Sequence, residues 1–128
     1  MVNLKLNNHL RIAVDGESGS GKSYASKIIG KKYNCYILNS GLAYRYASHL
    51  IIKNKPKKII PYLKKKFKNL NYKKINRINL HTPEISKKTS SIAKINKVRK
   101  ILKTFQTKFA NKFKNCCIEG RDISTKIL

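Results

Sequence analysis

The sequence predicts an α/β fold in which a parallel sheet carries flanking helices. Three observations lead there. Short apolar runs alternate with stretches whose apolar residues recur at helical spacing, the pattern of strands separated by crossover helices. A glycine-rich stretch, GESGSGKS from Gly16 to Ser23, stands between the first apolar run and the first helical stretch. No internal repeat interrupts the alternation, and 128 residues make at most one domain of ordinary size.

HLRIAV, His9 to Val14, is a short apolar run closed by Asp15-Gly16, which suits a buried strand. A helix is expected from Gly21 to about Lys32, with Ala25, Ile28 and Ile29 at helical spacing and a basic last turn. NCYILNSG reads as a second strand followed by a glycine-containing turn. Leu42 to about Lys53 is helical, with Leu42, Tyr46, His49 and Leu50 on one stripe. Pro56 and Pro61 break the next stretch into a loop and a short helix near Ile59 to Phe67. Pro83 then suits the first position of a helix, with Thr82 as its N-cap and Glu84 in its first turn. A longer helix, roughly Lys97 to Phe113, turns Val98, Ile101, Leu102, Phe105 and Phe109 inward. NCCIEG is the third strand.

Hydrophobic residues make up 41% of the chain, enough for a globular protein and too many for a disordered one. No apolar stretch approaches the ~20 residues a membrane span needs, and the opening residues contain no secretory h-region, so a cytoplasmic protein is expected. Cys35, Cys116 and Cys117 form no disulfide framework and lack the paired spacing of a zinc site. They are expected to be small buried hydrophobes in a reducing compartment. Basic residues outnumber acidic ones 30 to 5, a formal charge of +25. Such a charge suggests a polyanion-binding surface. Asn and Ile are equally over-used, so an A+T-rich coding sequence explains the lysines as well. Weak, salt-sensitive binding to polyanions follows on either reading.

The strongest chemical signal is Gly16-Glu17-Ser18-Gly19-Ser20-Gly21-Lys22-Ser23, which matches G-x-x-x-x-G-K-[ST] in full. Gly16, Gly19 and Gly21 permit the positive φ angles that aim successive backbone N–H groups at one anion. The following helix adds the positive end of its dipole. Lys22 reaches the β- and γ-phosphates of a nucleoside triphosphate, and Ser23 offers a hydroxyl to Mg²⁺. The phosphate acceptor is left open by this motif. NSGLAYR, Asn39 to Arg45, follows the second strand, and EGRD ends the third. Both therefore stand at carboxyl ends of strands, where open α/β sheets bind ligands.

Taken together, IAVDGESGSGKS, LNSGLAYR, LHTPEISKKTSSIAKINKVRKILKTFQTKFA and CCIEGRDIST resemble the bacterial cytidylate kinases over nearly the whole chain. The phosphate loop is widely shared. The ordered set S-G-x-x-Y-R, P-E-[IV]-S, V-R and E-G-R-D is far more specific, and separates this family from adenylate- and shikimate-kinase relatives. The resemblance implies a nucleoside monophosphate kinase fold and transfer of phosphate from ATP to CMP or dCMP with Mg²⁺. It implies that Arg45 and Arg121 grip the CMP phosphate, as guanidinium forks suit. Ser40 and Tyr44 line the nucleotide pocket. Ser90, Arg99 and Asp122 read the base, where a carboxylate and a cationic donor together select cytosine over uracil. Plainer readings stand beside these: Ser90 as a helix-surface serine, Arg99 as a solvated charge, and Arg121 paired with Asp122. The complete enzyme is expected to be a monomer.

The chain departs from the family pattern at several positions. Asn39 stands where Asp is usual, Tyr24 where a smaller residue is usual, and Ser124 in place of a Gly. The family's nucleotide-binding insert is expected to shrink to the lysine-rich stretch from about 54 to 79, within a core of 1–53 and 80–128. By the family's topology the strands lie in the order second, third, first. The GRD stretch stands near the family's midpoint, so the chain is expected to be truncated after its third strand. Residues 1–128 alone are accordingly expected to be inactive, or a basic P-loop remnant that binds nucleotide or RNA without turnover.

Overall fold

A computed structural model describes residues 10–16, 22–113 and 115–120. The described residues fall into two compact units, one up to Leu38 together with those from Thr107 onward, the other Asn39–Gln106.

The first unit is built on a three-stranded parallel sheet. Its strands are β1 (Arg11–Asp15), β2 (Tyr36–Asn39) and β3 (Cys116–Gly120), in the order β1-β3-β2. That is the order the resemblance implied. β1 pairs with β3 in parallel from Arg11 opposite Cys116 to Asp15 opposite Gly120. Tyr36 N–H donates to the Asn115 carbonyl at 2.9 Å, joining β2 to the other side of β3. β3 is buried at every position, as befits the central strand of a sheet covered on its faces.

Helix α1 (Lys22–Tyr33) packs on β1 and β3. Among its described positions Ser26 and Gly30 are buried, whereas Ile28 is 49% exposed and Ala25 and Ile29 are half-buried. The expected apolar stripe is thus displaced by about one position, and the physical reason is clearance. A Cβ at Gly30 would stand 2.4 Å from Ile37 Cδ1 and 2.8 Å from its Cγ1. Small residues bring the helix close to the strands, and the large ones are turned outward. The last turn carries Lys31 and Lys32, as expected.

The second unit is helical. It contains α2 (Ser40–Asn54), α3 (Ile59–Lys68), a 3₁₀ turn (Tyr72–Arg77), α4 (Pro83–Ile92) and the first part of α5 (Asn96–Lys112). α2 packs on α4 and on the 3₁₀ turn. Its buried residues are Ser40, Ala43, Tyr46, Ala47, Ser48 and Ile51, so of the expected stripe only Tyr46 is buried. Leu42, His49 and Leu50 are half-buried. Small residues again occupy the closest contact. α3 buries Leu63 and Phe67 and exposes Lys64, Lys65, Lys66 and Lys68. Phe67 meets Tyr46 and Phe105 edge to face, at 6.3 and 5.3 Å between ring centroids.

α4 begins as the sequence indicated. Pro83 occupies the first turn, Glu84 follows it, and Thr82 Oγ1 accepts from Ile85 N–H at 3.2 Å. In α5 the residues Val98, Ile101, Leu102, Phe105 and Phe109 are all buried, as their spacing predicted. Cys116 and Cys117 are buried and Cys35 half-buried, and all three are free thiols. Among the described residues, no helix is long and apolar enough to cross a membrane.

Candidate functional site

In the first unit, β1 and β3 run parallel and end together, because Asp15 is opposite Gly120. The ladder continues one step further, with Gly16 N–H donating to the Gly120 carbonyl at 3.0 Å. Gly16, the first residue of the glycine-rich motif, therefore leaves the sheet beside the point where β3 ends. Lys22 opens α1 and Ser23 follows in its first turn. Strand, glycine-rich stretch and helix start thus occur in the order that a phosphate-binding loop requires. Glu17, Ser18, Gly19, Ser20 and Gly21 lie outside the described residues, as do Arg121, Asp122, Ser124 and His9. Glu119, the residue before Gly120, is buried at 2% exposure, opposite Val14 of β1.

The other expected site residues are in the second unit. Asn39 ends β2 and caps α2, its Oδ1 accepting from Leu42 N–H at 3.0 Å. Asn is as good an N-cap as the Asp usual in the family, so the exchange retains the cap and removes a charge. Ser40 is buried in the first turn of α2. One turn later come Tyr44, half-buried, and Arg45.

Arg45 is held by both neighbours of its Nη1 nitrogen. That nitrogen donates to the Leu80 carbonyl at 3.1 Å and to Ser86 Oγ at 2.9 Å. One helical turn along, Ser48 Oγ is 2.8 Å from Thr89 Oγ1 and also donates to the Tyr44 carbonyl at 3.2 Å. Arg45–Ser86 and Ser48–Thr89 have the same sequence separation, 41. α2 and α4 therefore run in the same direction, stitched at two successive turns by side-chain hydrogen bonds. Ser48 is fully buried, so its hydroxyl depends on those partners for satisfaction.

Arg99 of α5 is close enough to Tyr44 for its charge to act on the phenol. Burial raises the Tyr44 pKa, and the Arg99 charge and hydrogen bond oppose the rise. The phenol is a neutral donor or acceptor at ordinary pH. Ser90 is exposed on α4, its Oγ donating to the Ser86 carbonyl at 3.2 Å. Tyr44, Arg45 and Arg99 are thus gathered around α2, while Ser90 stands one turn beyond Ser86.

Sequence reasoning passed over Ser86, Ser48 and Thr89. Ser86 is the serine of P-E-I-S, so the motif contained it. What spacing could not supply was the α2–α4 register that sets its hydroxyl against Arg45.

The sequence model of one family, described as cytidylate kinase, matches residues 12–128. The chain is 33% identical over 132 residues to a protein of Aquifex aeolicus named cytidylate kinase, covering 93% of this chain and 59% of that protein. It is 34% identical over 135 residues to a Clostridium perfringens protein of the same name, covering 96% and 61%. For a Clostridium botulinum protein of that name the identity is 32% over 134 residues, covering 94% and 60%. The chain spans about three fifths of the length of these relatives.

Proposed function

The chain belongs to the cytidylate kinase family, and from that premise we propose that the protein transfers a phosphoryl group from ATP to CMP and dCMP. An oxygen of the CMP phosphate attacks the γ-phosphorus of ATP while the bond to the β–γ bridging oxygen breaks, giving CDP and ADP. Such a transfer is governed by positioning and by charge stabilisation, with little covalent chemistry left to the protein.

Gly16 to Ser23 bind the ATP phosphates, helped by the amino end of α1, and Lys22 neutralises the γ-phosphoryl as it moves. Mg²⁺ fits the donor set. Ser23 stands in the first turn of α1 beside the loop, and one hydroxyl suffices for a cation that keeps its waters and leans on phosphate oxygens. Held there by Ser23, it would supply charge neutralisation to the transferring phosphoryl group.

Arg45 and Arg121 hold the acceptor phosphate. Ser40 and Tyr44 line the acceptor pocket, and Ser90, Arg99 and Asp122 read the base. The observation that carries this reading is the guanidinium of Arg45, anchored at Nη1 on the same helix as Tyr44. It is a cationic, donor-rich corner, and a nucleoside monophosphate is an acceptor-rich ligand of matching chemistry.

Base selection supplies the test. Asp122→Asn keeps the shape and one acceptor but loses the charge that favours the cytosine amino group and a cationic neighbour. The expected result is a fall in kcat/KM for CMP much larger than the fall for UMP. Equal losses for the two nucleotides assign Asp122 a structural role and remove the basis for cytosine selection.

A further inference from the structure

We propose that Ser86 is a positioning residue for the acceptor phosphate. Its hydroxyl, with the Leu80 carbonyl, holds the Nη1 end of Arg45 and leaves the Nε/Nη2 edge of the guanidinium to act as the phosphate fork. This rests on Arg45 being a phosphate-binding group, as read above.

The inference starts from donor counting. A guanidinium has five N–H donors in one plane, two of them on Nη1. Nη1 has two acceptors here, at 3.1 and 2.9 Å, which match its two hydrogens. The donors on Nε and Nη2 point along the adjacent edge, the pair that makes parallel bonds to two oxygens of one phosphate. With one end anchored, the plane of the guanidinium is fixed before any ligand arrives. A long side chain otherwise loses its rotamer freedom when it grips an anion, and that loss weakens binding.

The anchor is itself rigid. Leu80 is 1% exposed. Ser86 lies in the first turns of α4, where its N–H donates to the Thr82 carbonyl at 2.9 Å. Thr82 caps that helix end, and the Ser48–Thr89 bond keeps α4 from sliding along α2. The position of the Ser86 hydroxyl relative to Arg45 is therefore set by three separate hydrogen bonds.

Equilibrium binding of CMP and of cytidine, measured by titration calorimetry on the whole protein, tests the proposal. Cytidine lacks the phosphate, so it reports on the pocket without the fork. Ser86→Ala should weaken CMP about five- to tenfold, the scale of one ordinary intramolecular hydrogen bond, and leave cytidine unchanged. Ser86→Thr retains the hydroxyl and should restore CMP affinity. Arg45→Ala should abolish the preference for CMP over cytidine, and Ser86→Ala added to it should then have no further effect. If Ser86→Ala leaves CMP binding intact, or weakens CMP and cytidine equally, Ser86 does not position the fork. If Arg45→Ala leaves the preference for CMP intact, the phosphate-binding reading of Arg45 fails, and the role of Ser86 fails with it.

Discussion

Cys35, Cys116 and Cys117 show how far one residue type diverges when its neighbours differ. Cys116 and Cys117 are 0% exposed within β3, while Cys35 is half-buried just before β2. Burial raises the pKa of all three. Cys116 is pushed up to about 11, against a smaller pull downward from Arg11, and Ser26 hydrogen-bonds the Cys117 thiol and opposes its rise. Alkylating reagents attack the thiolate, so access favours Cys35 over both, and ionisation favours it over Cys116. Iodoacetamide at pH 8 should add one label to the folded protein, at Cys35, with the other two sites reacting only on unfolding. Mass spectrometry of the labelled protein reads this directly, and two or three labels appearing at equal rates contradict it. The same shift has a pH consequence. In the unfolded chain Cys116 ionises near its ordinary value of 9.0, before the folded protein does. The stability it contributes is complete below that pH and is lost as pH climbs toward 11. Cys116→Ala should flatten that part of the alkaline unfolding curve. Ser86 is the opposite case in legibility. Its identity was plain in the motif, but a helical serine bonds its own backbone or a neighbouring helix equally well, and sequence spacing does not distinguish the two.

At the scale of elements, α4 is the most fully readable. Thr-Pro-Glu supplies a side-chain cap, a fixed φ and a favourable charge at one helix end, and each signal is local. Thr82→Ala removes the acceptor for Ile85 N–H and should lower stability by ~1 kcal/mol in chemical denaturation. Because Ser86 N–H bonds the Thr82 carbonyl, which alanine retains, the first turn should still form and CMP affinity should fall little. A loss below about 0.3 kcal/mol would show that another acceptor replaces the cap. α5 was equally legible, since its apolar face has a strict helical period. α1 and α2 were not. Periodicity finds faces by their large apolar residues, whereas these helices make their closest contacts through Ser26 and Gly30, and through Ala43 and Ala47. Small residues at a tight interface carry no hydropathy signal. The 3₁₀ turn at Tyr72–Arg77 was also missed, because a lysine-rich stretch holds little apolar pattern to read.

At the scale of the whole molecule, the family was legible from its ordered motifs, and the strand order β1-β3-β2 from the topology that the resemblance implied. The glycine-rich motif, NSGLAYR and EGRD each stand at the carboxyl end of a strand, and parallel strands separated by helices bring those ends to one side. The charge of +25 says less, since lysines are spread along the chain and belong to its composition as much as to any one surface. It predicts salt-sensitive association with polyanions without naming a substrate. On the proposed reading, substrate choice rests on Arg45, Tyr44 and Arg99 and on the chemistry of EGRD. The most direct measurement is therefore a coupled assay of ADP release on a full-length version of the protein, with ATP as donor and CMP, dCMP, UMP and AMP as competing acceptors. CMP and dCMP should be phosphorylated with kcat/KM well above that for UMP or AMP. Lys22→Ala should reduce that turnover by orders of magnitude, because the lost contact is to charge that develops in the transition state. Comparable rates for all four acceptors, or CMP turnover that survives Lys22→Ala, would contradict the account.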